Sequence, residues 1–429
     1  MNFYADFHIH SRFSRATSRD LNLEQLAYWA RIKGIKVVGT GDCIHPQWLE
    51  EIKKKLEPAQ EGFFKLKKEF DYLSFKDLPK SCQNQEVRFV LTTEISNIYK
   101  KNDKVRKVHN VLFFPSLEAA EDVQKKLSAI GNIRSDGRPI LGLDAKDLLE
   151  VVLESDDLSF LVPAHIWTPW FSVLGSKSGF DSIEECYEDL SKHIFALETG
   201  LSSDPLMNWR LSRLDPYILI SNSDAHSASK LGRECNLFDT AFSYPAIYKA
   251  LSDKKDKGLV ATIEFFPEEG KYHYDGHRDC QIRLHPKETI KNKGLCSVCK
   301  KPVTVGVMAR VEELSDHPEG RKAPRSRPYY SLIPLLEIIA DAKGVGTHSK
   351  SVEDFYKQML QQLGNELFIL REASLKEIEQ KAGPLLAEGI KRVRSGKVHI
   401  AAGYDGEFGS INIFTDEERK TSKDQLTLF

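Results

Sequence analysis

Through the first 265 or so residues, short apolar runs alternate with amphipathic segments, and almost every run ends in a residue able to hold a metal. The runs are 3–7, 35–40, 87–92, 108–114, 160–163, 194–197 and 217–221. Segments between them, such as 21–33 and 119–130, carry apolar residues at helical spacing, as in Leu23, Leu26, Ala27 and Ala30. That is the pattern of strands joined by crossover helices, an α/β fold. The first run ends in Asp6, His8 and His10, and a period of two puts all three on one strand face. The second ends in Asp42 with His45 beyond, the third in Glu94, and the fourth carries His109 at its start. The fifth ends in His165, the sixth in Glu198 and the seventh in Asp224 and His226. Strand ends of a barrel or open α/β sheet share one rim, so these residues are expected to converge.

Imidazole and carboxylate together suit zinc, manganese or iron, and paired divalent ions clamp the attacking and leaving oxygens of a phosphodiester. A metal-bound water supplies hydroxide near neutral pH, so no nucleophilic side chain is required. The chain has no Walker loop, no G-x-S-x-G elbow and no dinucleotide fingerprint. Any one of these histidines alone reads most simply as a locally satisfied residue. Recurrence at each run favours a metal centre.

These residues also carry a family resemblance. Asp6-Phe-His8-Ile-His10-Ser11 resembles the opening motif of the PHP family, the polymerase and histidinol phosphatase superfamily. Thr40-Gly-Asp42, Glu94, His109, His165 and Ser223-Asp224-Ala-His226 match its later motifs in order across the first domain. The resemblance implies a distorted (β/α)7 barrel with a cluster of two or three divalent metals (Zn, Mn, Fe or Mg). His8, His10, Glu94 and Asp224 would hold one, and Glu94 would bridge to a second held by His109 and His165. His226 would join Asp42 and His45 on the third. The catalytic set it implies is His8, His10, Glu94, His165 and Asp224. Two departures bear on the third site: the family often has Thr-Asp-His at Thr40-Gly41-Asp42, and residues 12–19 lack a further ligand after the first motif. Asp6 and Glu198 are read as groups that orient ligands.

Beyond Phe266 the composition changes, giving expected units of 1–265, 266–312, 313–414 and a tail, 415–429. The whole chain has 429 residues, 41% of them hydrophobic, enough for several units. His277-x2-Cys280 and Cys296-x2-Cys299 form two knuckles of the kind that grip one structural zinc tetrahedrally. His285 is an alternative fourth ligand, and a redox pair at Cys296 and Cys299 is the bland alternative. Cys43, Cys82, Cys186 and Cys235 are read as structural thiols. Helices are expected at 333–342, 352–364 and 375–394, with a strand-like end at 401–414. Segment 47–75, rich in Lys and Glu, is read as a helical insertion.

Segment 272–280, the Cys296/Cys299 knuckle, Gly306-Val-Met-Ala-Arg-Val311 and Tyr404-Asp-Gly-Glu-Phe-Gly409 resemble the endonuclease Q family over nearly the full length. That resemblance implies a DNA repair endonuclease cutting 5′ of deaminated bases (uracil, hypoxanthine, xanthine) and at abasic sites. Competing readings are a PHP-type small-molecule phosphatase and a DNA-binding adaptor with an inactive metal site. Reading an altered base edge usually needs the base flipped out, and Trp167, Trp170 and Phe171 can stack on it or simply pack the barrel mouth. Basic residues at 100–107 and Arg321, Lys322, Arg325 and Arg327 are phosphate contacts or solvated loops.

Lys plus Arg number 61 against 62 for Asp plus Glu, so no global positive field draws in a polyanion and contacts must be local. The start has no charged leader before an apolar core, and no apolar run approaches the ~20 residues of a membrane span. Scattered cysteines suggest a reducing cytoplasm. Gln425, Leu426, Leu428 and Phe429 resemble the short peptide with which bacterial repair proteins bind the sliding clamp.

Overall fold

The computed structural model describes residues 1–415 and 417–419; the expected clamp peptide (Gln425, Leu426, Leu428, Phe429) lies outside the described residues. The strands are β1 (Asn2–Asp6), β2 (Ile35–Gly39), β3 (Leu56–Pro58), β4 (Phe64–Leu66), β5 (Arg88–Lys101), β6 (Lys104–Phe114), β7 (Ile140–Leu141), β8 (Phe160–Pro163), β9 (Ala196–Glu198), β10 (Ile218–Ile220), β11 (Cys235–Asp239) and β12 (Leu259–Glu264). They continue with β13 (Asp275–His277), β14 (Ile282–Leu284), β15 (Tyr329–Ser331), β16 (His399–Ala401) and β17 (Ser410–Asn412). One mixed sheet runs β15-β12-β11-β1-β2-β5-β4-β3, with β6 and β7 also on β5, and β8 on β6. β9 and β10 form a separate parallel pair. Loops join this pair to the large sheet: the Ile166 amide donates to the Glu198 carbonyl, and the His10 amide donates to the Ala225 carbonyl.

The first crossover helix, Leu23–Lys33, begins where the Asn22 side chain accepts from the Gln25 amide. That bond satisfies one of the amides a helix start leaves open. Its predicted apolar stripe, Leu23, Leu26, Ala27 and Ala30, is buried against the sheet. The third and fourth apolar runs are not linked by a helix. They extend into a long antiparallel hairpin, β5 and β6, turning at Asn102 and Asp103, both left-handed (φ 53° and 58°). Asn and Asp tolerate that conformation, which two-residue hairpins demand. Because β6 runs backwards, its beginning lies at the rim where parallel strands end. This explains why His109 stands at the start of its run.

Segment 47–75 departs from the helical expectation. It opens as a helix, Pro46–Lys55, and closes in a short one, Lys68–Asp71, followed by a 3-10 turn, Tyr72–Phe75; between them β3 and β4 add to the sheet through Phe64, opposite Phe89. Leu56, Phe64 and Leu66 alternate with exposed or half-buried neighbours, a period-two signal masked by the surrounding lysines. The C-terminal helices are Leu335–Lys343, Lys350–Leu363, Glu366–Arg371, Leu375–Ala382 and Pro384–Arg394. The expected 375–394 helix is broken because Pro384 cannot continue it and instead opens the next. The strand-like end is the β16/β17 hairpin.

The helical region shares one hydrophobic core with the first sheet. β15 pairs in parallel with β12, and Lys33 Nζ reaches Glu366 Oε2 at 2.7 Å in a buried ion pair. Glu366 also accepts from the Leu335 amide and the Tyr356 hydroxyl, so this buried carboxylate is fully used. Among the described residues no helix is long and apolar enough to cross a membrane.

Candidate metal centres

The turns after β1, β8 and β10, together with the middle of the β5–β6 hairpin, bring His8, His10, Glu94, His109, His165 and Asp224 to one rim. Ligand atoms of His8, His10, Glu94 and Asp224 lie within 4.8 Å of one another, as do those of Glu94, His109 and His165. Glu94, fully buried on β5, belongs to both groups. Its Oε2 faces His8 Nε2 (3.4 Å) and His10 Nε2 (3.3 Å), and its Oε1 faces His109 Nδ1 (2.6 Å) and His165 Nε2 (3.2 Å). Asp224 Oδ1 lies 3.0 Å from His10 Nε2. Burial pushes the Glu94 carboxyl up, but His109, His8 and Arg138 around it pull it far below the usual range. Burial holds His109 down to about 4, neutral and able to donate a lone pair.

Groups behind the rim fix most of these rings. His8 Nδ1 contacts Glu198 Oε2 (2.9 Å), His10 Nδ1 contacts Asp42 Oδ1 (3.2 Å) and His165 Nδ1 contacts Thr168 Oγ1 (3.1 Å). One nitrogen held behind and the other turned into the cluster is the arrangement of metal-ligating histidines. His8 Nε2 is buried and makes no hydrogen bond, a group left open for an ion. Asp42, His165 and Asp224 hold left-handed backbone (φ 47°, 28° and 46°), strain of the kind that concentrates at functional sites. The residues present therefore fit two divalent ions that share Glu94.

Asp6 is no ligand. It accepts from the Ser223 amide (3.1 Å) and the Gly232 amide (2.9 Å), anchoring the turn that carries Asp224. Burial pushes its carboxyl up to about 6. Glu198 likewise holds His8, the His165 amide (2.8 Å) and Asn222 Nδ2 (2.9 Å).

The third site expected from Asp42, His45 and His226 is not assembled. Asp42 Oδ2 already accepts from the Ser11 amide (2.7 Å) and from the hydroxyls of Ser11 (2.6 Å) and Ser14 (2.8 Å), so it serves as a clamp. His45 stacks on Phe13 and its Nε2 lies 3.1 Å from the Arg134 carbonyl oxygen. His226 packs edge-on to His10 at 4.6 Å and lies outside both ligand groups.

Sequence reasoning missed Arg138, which no motif marks. Its Nη1 reaches Glu94 Oε2 at 3.1 Å, while the side chain keeps about a quarter of its surface exposed. Asp136 fixes this loop by accepting from the amides of Arg15 (3.2 Å) and Arg138 (3.1 Å), and the Gly137 amide donates to the Phe13 carbonyl.

The aromatic trio divides. Trp167 is buried and its indole N–H donates to Asn208 Oδ1 at 2.8 Å, so it packs the fold. Phe171 stands 4.7 Å from the His109 ring, and Trp170 is half exposed with Lys107 Nζ 4.8 Å from its ring. Beside them runs a groove of about 860 Å³, lined by Lys104, Arg106, Lys107, Trp170, Lys177 and Arg310 among others. The second basic patch has structural duties instead. Arg321 pairs with Asp215 at 2.5 Å, Arg325 donates to the Asp215 carbonyl and Arg327 to the Asp256 carbonyl. Lys322 is exposed.

A second centre lies on the short hairpin of β13 and β14. His277, Cys280, Cys296 and Cys299 bring their ligand atoms within 4.8 Å of one another. Backbone N–H groups, that of Cys299 first, hold the Cys296 thiol below its usual value, which favours the thiolate that binds zinc. His285 is engaged elsewhere, capping the helix Pro286–Lys291 and meeting Glu319 at 3.1 Å. Cys43, Cys82, Cys186 and Cys235 are buried.

Comparison with known proteins places this architecture. A family model described as the MJ0043 C-terminal domain matches residues 334–397. The Methanocaldococcus jannaschii protein MJ0043 is 34% identical over 289 residues; the match takes in 64% of this chain but 35% of that protein's length. Bacillus subtilis YqxK is 30% identical over 422 residues, covering 95% of this chain and 98% of YqxK. The lesion-specific endonuclease PfuEndoQ from Pyrococcus furiosus superimposes with a TM-score of 0.84 at 30% identity, covering 100% of this chain and 99% of that one. An endonuclease Q bound to a 27-mer duplex substrate with an abasic lesion at its active site gives 0.81 at 31% identity, with 98% of each chain covered. Full-length agreement in sequence and fold establishes that the chain belongs to the endonuclease Q family.

Proposed function

We propose that this protein is a metal-dependent DNA repair endonuclease that hydrolyses the phosphodiester 5′ of a deaminated base (uracil, hypoxanthine or xanthine) or an abasic site. The observation that carries the reading is Glu94, whose two oxygens divide between His8 and His10 on one side and His109 and His165 on the other. Two divalent ions, if held there, would supply Lewis-acid activation of water and neutralise charge on the phosphate. His8, His10, Glu94 and Asp224 would hold one ion, and Glu94, His109 and His165 the other. Glu198, Asp42 and Thr168 keep the rings in register, and Arg138 is poised to take a non-bridging phosphate oxygen. The groove by Lys107 and Trp170 would receive the backbone next to the scissile bond.

The cysteine module takes one structural zinc in this reading. The links from β8 to β9 and from β1 to the turn after β10 support closure into a distorted (β/α)7 barrel. We retain the division at residues 265, 312 and 414 as organising units, and a reducing cytoplasm as the compartment suited to seven cysteines outside disulfides.

The test is incubation with manganese or magnesium and labelled duplexes carrying uracil, hypoxanthine, an abasic site or normal bases only. A nick 5′ of the lesion, absent from the normal duplex and from His8→Ala, is expected. Cutting that ignores the lesion, or none by metal-loaded protein, overturns the assignment.

A further inference from the structure

The 402–409 loop, between β16 and β17, is tied down along its length. The Gly403 amide donates to the Glu268 carbonyl (2.7 Å), the Gly406 amide to the Lys271 carbonyl (3.0 Å) and the Gly409 amide to the Glu269 carbonyl (3.0 Å). Asp405 Oδ2 accepts from the Arg278 amide (2.7 Å) and Oδ1 from the Thr304 hydroxyl (2.5 Å). The backbones approach so closely that a Cβ on Gly403 or Gly409 would stand 2.3 or 2.0 Å from a carbonyl oxygen of residues 268–270. Asp405 and Gly406 are left-handed (φ 45° and 85°). Such a loop is fixed by its surroundings, yet it presents Phe408 with 72% of its surface in water.

The side chains around Phe408 are also aromatic or cationic. Lys271 Nζ sits 4.8 Å from its ring centroid. Tyr272 is 45% exposed, and its hydroxyl and Arg278 Nη1 each lie 3.7 Å from where a Cβ on Gly406 would stand. Glu407 lies 3.8 Å from Arg278 Nε, so the patch also carries one carboxylate. Apart from the contact with Lys271, most of this rigid ring is left in water. With Lys271 against it and Arg278 beside the neighbouring Gly406 and Glu407, it matches what single-stranded nucleic acid offers: a π face between phosphates.

We propose that Phe408 is a stacking platform for an unpaired DNA base, with Lys271 and Arg278 taking the adjoining phosphates and Tyr272 extending the aromatic surface. This rests on the nuclease reading above, since DNA is then already on the protein. It assigns a job to the 272–280 and 404–409 motifs, which the rim chemistry does not use.

The experiment uses full-length protein, with zinc content checked, in a His8→Ala background so that the DNA stays intact. Lesion duplexes carry 2-aminopurine at unpaired positions flanking the lesion. Phe408→Ala should weaken binding about tenfold or more and abolish the 2-aminopurine quench, while Phe408→Trp restores both. Lys271→Ala should weaken binding less and flatten its salt dependence. Unchanged affinity and quench in Phe408→Ala, at full zinc content, overturn the platform. Failure of the nuclease reading shows separately, as wild-type protein that nicks no lesion duplex.

Discussion

The two candidate metal centres are built in opposite ways. At the rim, His8, Glu94, His165 and Asp224 come from distant parts of the chain and are buried or nearly so, with Glu198, Asp42 and Thr168 holding the rings from behind. In the cysteine module all four ligands fall between residues 277 and 299, around a core of little more than Leu284, Cys296 and Val303. The rim is positioned by a fold that stands without it. The module has a small apolar core, so in the reading proposed above a metal held there would contribute directly to folding. A site for chemistry needs open coordination and a rigid frame, whereas a structural site needs only closure.

The sharpest way to break this contrast is to remove the shared carboxylate. Glu94→Ala should reduce nicking to background while the melting transition persists, and appreciable residual cleavage would show that the two ligand groups are not one centre. Arg138→Ala should lower single-turnover cleavage ~10²–10³-fold with rim metal content unchanged. Metal loss matching the activity loss would instead make Arg138 a scaffold of Glu94. Glu198→Gln should cost ~10–100-fold in metal affinity or activity, because His8 loses its orienting carboxylate; titration of metal into the apo-protein checks this, and an unchanged midpoint refutes it.

In the module, Cys296→Ser should release one equivalent of zinc and expose residues 277–305 to limited proteolysis, with rim metals retained. Loss of all metals together would erase the distinction between the centres. The smallest effect concerns Glu264, buried at the end of β12 and accepting hydrogen bonds from the hydroxyls of Thr199 and Thr262. Burial pushes its carboxyl up to about 8, so the folded protein holds a proton there that the unfolded chain releases near pH 4. The stabilisation is complete below about pH 4 and is lost as pH rises through about 8. Glu264→Gln should narrow the difference between urea midpoints at pH 5 and pH 9. A difference equal to wild type sinks the assignment.

Much of the rim was legible because strand ends recur with ligands attached. His109 also fitted, although the antiparallel hairpin that explains its position was not foreseen. The knuckle spacing singled out His277, and the structure brings it to the cysteines while His285 caps a helix. Where residue type left the partner open, one cause recurs. Asp42, His226, Arg321 and Trp167 are of the types that bind metals, phosphates and bases, but the same polar and aromatic groups also satisfy neighbours within the fold. Residue type does not say which partner wins. Arg138 was invisible for the converse reason, since its loop has no motif and matters only by where it lands.

By itself the sequence determined the α/β pattern, the ligands at the strand ends and the local zinc knuckles, because periodicity and short spacings act over a few residues. Only the tertiary structure decided that Asp42 clamps a loop, that Arg138 reaches Glu94 and that Phe408 stands in water. Those outcomes depend on contacts between segments far apart in the chain, where geometry sets each side chain's partner.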